Sequence, residues 1–179
     1  MATPTLDESL IAALAERQDR CELVDGEIVT VTPAGFNHGR VLAKITHLLT
    51  HFTISSGAHA VVIAGDSGFI WDARNVRAPD VAVVAADDAM RAPKTGFVPS
   101  SPLIVVEVVV SPSDSWRDVH AKALGWLDHG AKAVWVVEPE DRLVVVHLPD
   151  RSTREFRADD VLSAEALPGF SCQVAAFFR

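Results

Sequence analysis

The sequence predicts one α/β domain over residues 1–179, a mixed β-sheet flanked by helices, on three observations. Near-continuous β-branched runs at 59–65, 68–71, 77–85 and 102–110 read as strands buried on both faces. Two amphipathic segments, 38–52 and 111–130, flank those runs with apolar residues at helical spacing. A chain of 179 residues with 49% hydrophobic and 22% charged residues has the size and composition of one globular domain, which excludes a disordered chain or a charge-rich coiled coil.

The elements follow in order. Residues 5–18 read as a helix, with Thr5 and Glu8 forming a capping box and Leu6, Leu10, Ala13 and Leu14 on one face. Residues 21–31 read as a hairpin around Asp25-Gly26, a pair that tolerates the positive φ of a tight turn. Val41, Leu42, Ile45, Leu48, Leu49 and Phe52 give 38–52 its apolar stripe, and Ser55-Ser56-Gly57 stops it. Strands follow at 59–65, 68–71, 77–85 and 102–110, then a helix over 111–130 with Ser113 as N-cap and Gly130 as stop. Residues 133–139 and 143–149 form a hairpin about Glu140-Asp141-Arg142, 152–157 adds an edge strand, and the apolar tail packs as a final turn or helix.

The formal charge of −8 argues against a surface coated for non-specific nucleic-acid binding, while leaving room for a local basic strip. Arg74, Arg77, Arg91, Lys94 and Arg117 are the candidates for phosphate contact, against the ordinary reading of solvated surface. Cys21 and Cys172 have no metal spacing and read as reduced thiols of a cytoplasmic protein. The first residues show no signal-peptide pattern, and no run reaches the roughly 20 apolar residues of a membrane span. His47 and His51, four residues apart on a helix, read as surface histidines, and Asp87-Asp88 as a loop. No P-loop, GxGxxG or GxSxG pattern is present.

Glu107 is the residue that does not fit a purely structural reading. It interrupts Leu103-Ile104-Val105-Val106 and Val108-Val109-Val110, and a carboxylate buried there needs a cation, a proton or an ionic partner. Asp80 lies at the mouth of another apolar strand, behind Pro79. If those strands are neighbours, two carboxylates converge, a donor set that magnesium accepts. Lys122 borders the apolar face of Trp116, Val119, Ala123, Trp126 and Leu127, from which its stem can be buried and its ammonium reach the sheet end.

Several ordered pieces carry a resemblance: Glu22-Leu23-Val24-Asp25-Gly26-Glu27-Ile28, Pro33-Ala34-Gly35 with His38, Ala78-Pro79-Asp80-Val81, Val106-Glu107-Val108 with Ser111-Pro112-Ser113, Asp118 with Lys122, Trp135-Val136-Val137-Glu138-Pro139, and Leu167-Pro168-Gly169-Phe170. Together they resemble the Uma family of restriction-endonuclease-like proteins, within the PD-(D/E)xK nuclease superfamily. The resemblance implies a restriction-endonuclease-like fold and a metal-dependent endonuclease. Asp80 and Glu107 are then the metal ligands, Lys122 the third catalytic residue, and Glu22, His38 and Asp118 auxiliary cleft residues. The superfamily's usual lysine position, two residues after the glutamate, holds Val109, and the resemblance moves that role to Lys122. Magnesium or manganese is the implied cofactor, nucleic acid, DNA above all, the implied substrate, and a homodimer an arrangement that cleavage of two strands favours. The competing readings are a catalytically inactive nuclease fold serving as a DNA-binding or protein-interaction module, and a small-molecule metallohydrolase.

Overall fold

The structure is a computed structural model, and it describes residues 7–65, 67–109 and 116–179. Helix α1 (Glu8–Ala15) is followed by strands β1 (Cys21–Val24) and β2 (Glu27–Thr30), then the long helix α2 (Phe36–Ser56). Strands β3 (Ala60–Ala64), β4 (Phe69–Asp72), β5 (Asn75–Arg77) and β6 (Val81–Ala85) lead to the short helix α3 (Ala86–Arg91). Strand β7 (Ile104–Val108), helix α4 (Trp116–Asp128) and strand β8 (Ala133–Glu138) form the centre. Strands β9 (Leu143–His147), β10 (Thr153–Arg157), β11 (Val161–Ser163) and β12 (Ser171–Gln173) precede a 3₁₀ helix, Val174–Phe178.

Two principal sheets result. The larger has the order β10-β9-β8-β7-β6-β3, with β7 and β8 parallel and the other neighbours antiparallel. Helix α4 makes the β7-to-β8 crossover that a parallel pair requires. The smaller sheet is antiparallel, β2-β1-β5-β4. A separate two-stranded ladder joins β11 and β12.

Period-two alternation divides the core. From β7, Ile104, Val106 and Val108 enter one cluster with Val41, Ile45 and Leu49 of α2 and Phe177 of the 3₁₀ helix. Val105 enters the opposite cluster with Ala123, Trp126 and Leu127 of α4. Trp135 and Val136 of β8 divide in the same way. A third, small cluster joins Leu14 of α1 to Leu23 and Val76 of the smaller sheet. Both faces of β6, β7, β8 and β9 are therefore covered, which is why those strands read as unbroken apolar runs.

The mixed sheet flanked by helices is the fold the sequence predicts, and several details differ. Helix α1 is capped by Asp7, whose carboxylate accepts the Ser9 and Leu10 N–H groups, whereas Thr5 lies outside the described residues. The expected strand 77–85 is two strands in different sheets, separated at Ala78-Pro79-Asp80. Proline offers no ladder donor, so the chain breaks there and passes from the smaller sheet to the larger. Strands β3 and β4 are edge strands with partial exposure, not strands buried on both faces. Asp87 and Asp88 start α3 rather than a loop, where their charge suits the helix N-terminus. Trp116 is half exposed and outside the α4 core face, and Ser113 lies outside the described residues. The tail carries the β11–β12 ladder before its final turn. The Asp25-Gly26 turn forms as expected: both residues have positive φ, 52° and 87°.

Candidate active site

The site is built where the two principal sheets meet under α4. Strands β6 and β7 are antiparallel neighbours, and the register Val81↔Val106 sets Asp80 beside Glu107 at the end of the pair. Asp80 Oδ2 accepts the Val108 N–H at 2.7 Å and lies 3.1 Å from His38 Nε2 in the first turn of α2. Arg20 Nη2 is 3.6 Å from Asp80 Oδ1. Glu107 Oε2 accepts Lys122 Nζ at 3.0 Å and Oε1 accepts the Trp126 indole N–H at 2.7 Å, so one face of α4 supplies a donor to each oxygen.

The smaller sheet adds Glu22 from β1. Its Oε1 lies 3.3 Å from Lys122 Nζ and accepts the Ala78 N–H at 3.1 Å, serving the backbone donor left between β5 and β6. Its Oε2 lies 2.8 Å from Arg77 Nε. Glu22, His38, Asp80 and Glu107 are all buried, and with Lys122 they line a cavity of about 530 Å³. Asp118, exposed on α4, lines the same cavity, as does Val109.

Electrostatics separates the two carboxylates. Burial opposes ionisation of Asp80, but His38, the Val108 N–H and Lys122 outweigh it and hold the carboxyl below its ordinary range. Burial pushes Glu107 up to about 7; Lys122 opposes that, while Asp80 and Glu22 reinforce it. For Lys122 burial favours the neutral amine, yet Glu107 and Glu22 prevail and raise its pKa. One carboxylate is thus firmly ionised, and its neighbour is poised to gain or lose a proton near neutrality.

All six sequence-selected residues, Glu22, His38, Asp80, Glu107, Asp118 and Lys122, meet in this cavity. The expected arginine strip has other engagements. Arg77 is paired with Glu22 and lies 5.3 Å over the Trp71 ring, Arg74 donates to the Asp25 carbonyl at 2.5 Å, and Arg91 pairs with Asp88 at 2.6 Å. Lys94 and Arg117 are exposed, as are His47 and His51, whose rings stack. Sequence reasoning missed Trp126 as a Glu107 partner. Its spacing of four residues from Lys122 on one helix face was the available signal.

Among the described residues, no group of three or more His, Cys, Asp or Glu side chains is arranged to hold a metal ion. Asp80 and Glu107 are the two adjacent carboxylates that could hold a divalent cation, since magnesium takes one or two carboxylates and fills its remaining positions with water or phosphate; both Glu107 oxygens here meet Lys122 and Trp126 instead. Burial, reinforced by Asp80 and Glu22, raises the Glu107 pKa, and a divalent cation beside the pair would oppose that rise. Among the described residues no helix is long and apolar enough to cross a membrane.

No curated protein matches this sequence. A crystal structure from Anabaena variabilis ATCC 29413, described as "a putative nuclease belonging to DUF820", shares the fold with a TM-score of 0.78 at 17% identity, over 93% of this chain and 94% of that one. The family model described as "Putative restriction endonuclease" matches residues 6–175, and with that span matched the chain belongs to the Uma2 family.

Proposed function

We propose that the protein is a metal-dependent nuclease that hydrolyses phosphodiester bonds of nucleic acid, with DNA as its substrate. The observation that carries this reading is the convergence of Asp80, Glu107 and Lys122 in one buried cleft, with Lys122 Nζ 3.0 Å from Glu107. Family membership and the shared fold support it.

Asp80 and Glu107 are the residues to hold magnesium or manganese, which when bound supplies Lewis acidity and a more acidic water. The chain's own groups do the rest. The Val108 N–H and His38 hold Asp80 through Oδ2, and Arg20 lies 3.6 Å from Oδ1, so the carboxylate is held from both sides at the cavity wall. Lys122 carries its charge to the sheet end, where it stabilises the negative charge that grows on phosphate oxygens. It occupies the role that Val109, an apolar side chain in the same cavity, cannot fill. Glu22, itself paired with Arg77, helps hold that ammonium from the smaller sheet.

The deciding experiment is calorimetric titration of magnesium and manganese into the wild type and Glu107→Ala, with and without a DNA oligonucleotide. Saturable binding that disappears in the variant is expected, together with metal-dependent cleavage of the oligonucleotide. Absence of binding even with DNA present sinks the reading and leaves a nuclease fold used as a binding module, which Val109 and the net charge of −8 favour.

A further inference from the structure

Glutamate's terminal torsion is broad, so a buried carboxylate keeps one orientation only if both oxygens are held. Lys122 alone cannot do that, because an ammonium is a point charge on a flexible stem. The second oxygen of Glu107 meets a different kind of donor. Trp126 is fully buried, and its indole presents a single N–H in a rigid ring, 2.7 Å from Oε1.

The ring is itself held. Phe69 and Trp71 meet it edge to face, at centroid distances of 5.8 Å and 4.9 Å. Trp71 lies against α4 at Gly125, where a Cβ would stand 2.5 Å from the Trp71 ring, so only glycine leaves that space. Arg77 covers Trp71 and pairs with Glu22, and Glu22 pairs with Lys122. The contacts close on themselves: Glu107, Trp126, Trp71, Arg77, Glu22, Lys122 and back to Glu107. No member can shift without moving a neighbour.

We propose that Trp126 is a positioning residue for Glu107, its indole N–H fixing the carboxylate's rotation while Trp71 holds the indole. The hydrogen bond stands independently of any reaction; its kinetic consequence rests on the nuclease reading above.

The test compares Trp126→Phe with Trp126→Tyr. Both leave a similar packing defect, and they differ by one hydroxyl able to donate. In magnesium-dependent cleavage of a DNA oligonucleotide, Trp126→Phe is expected to lower kcat about tenfold or more with KM within about twofold, the scale of a lost hydrogen bond to a charged group. Trp126→Tyr recovers most of that loss. Equal loss in both variants, or none in either, overturns the proposal. The second readout needs no activity. In a ¹H–¹⁵N spectrum the indole signal missing from Trp126→Phe is expected to exchange slowly in the wild type and to shift in Glu107→Gln. A signal that ignores Glu107→Gln overturns the proposal. If it shifts while the wild type cleaves neither DNA nor RNA, the anchoring of Glu107 stands and the nuclease reading falls.

Discussion

The two helices that cover the larger sheet serve it unequally. Helix α2 meets one face with Val41, Ile45 and Leu49, and every buried partner in that cluster is a hydrophobic residue. Helix α4 meets the other face with Ala123, Trp126 and Leu127, but it also brings Lys122 onto Glu107. Strand β7 feeds both faces, so one step along it, from Val106 to Glu107, crosses from the apolar α2 cluster to the side where Lys122 and Trp126 hold a carboxylate; α2 reaches the site only through its first turn, where His38 lies against Asp80. The comparison teaches that stability and chemistry are divided by the pleat of a single strand.

Glu107→Gln tests the chemical face and has the largest expected effect. Loss of the carboxylate is expected to lower metal-dependent cleavage by about a thousandfold or more, given what is lost when charge-stabilising groups are removed. Its amide can still accept from Trp126, so the melting temperature should change little. A variant that cleaves normally, or one that unfolds, breaks the division between the faces.

Leu49→Ala tests the other face. The side chain is fully buried, so truncation is expected to cost about 2–5 kcal/mol in denaturant unfolding. Cleavage per folded molecule should stay within about twofold of wild type. Loss of activity beyond the loss of folded protein would show that the faces are coupled.

The smallest effect lies in pH dependence. Glu107 has its proton held more tightly in the folded state, about 7 against an ordinary 4.5. That group therefore stabilises the fold fully below pH 4.5, and its contribution is lost as pH rises through about 7. His129 and His147 slope the other way below about pH 6.5, because burial, aided for His147 by His120, holds them below the ordinary histidine range. The difference between wild type and Glu107→Gln isolates the carboxyl. Wild type minus variant should fall by a few kcal/mol at most between pH 4.5 and 7 and be flat above. A flat difference throughout would mean that Glu107 ionises normally.

Much of this is legible in the sequence itself. The apolar runs around Glu107 announced a doubly covered strand, and that setting made the carboxylate conspicuous. Lys122 was readable from its place at the border of a helical stripe. Other features depend on contacts that spacing along the chain does not encode. Pro79 marked a strand boundary, but not that the chain changes sheets there. Arg77 looked like a surface cation until Trp71 and Glu22 were placed around it. Trp126 is apolar in any periodicity count, and its one polar atom matters only because Glu107 lies across from it.

Glu22 belongs to a sheet whose inner strands share a small core of Leu14, Leu23 and Val76, while its edge strand β4 sends Phe69 and Trp71 into the cluster beneath α4. Folded proteins open in parts, and a small unit opens more readily than the whole. An opening that peeled β1 and β5 away from β4 would take Glu22 and Arg77 away together, leaving Lys122 with one acid and Trp71 without its cation. Such a local opening would dismantle the site while the larger sheet stays folded. Two variants with identical global stability can differ in how often the site exists.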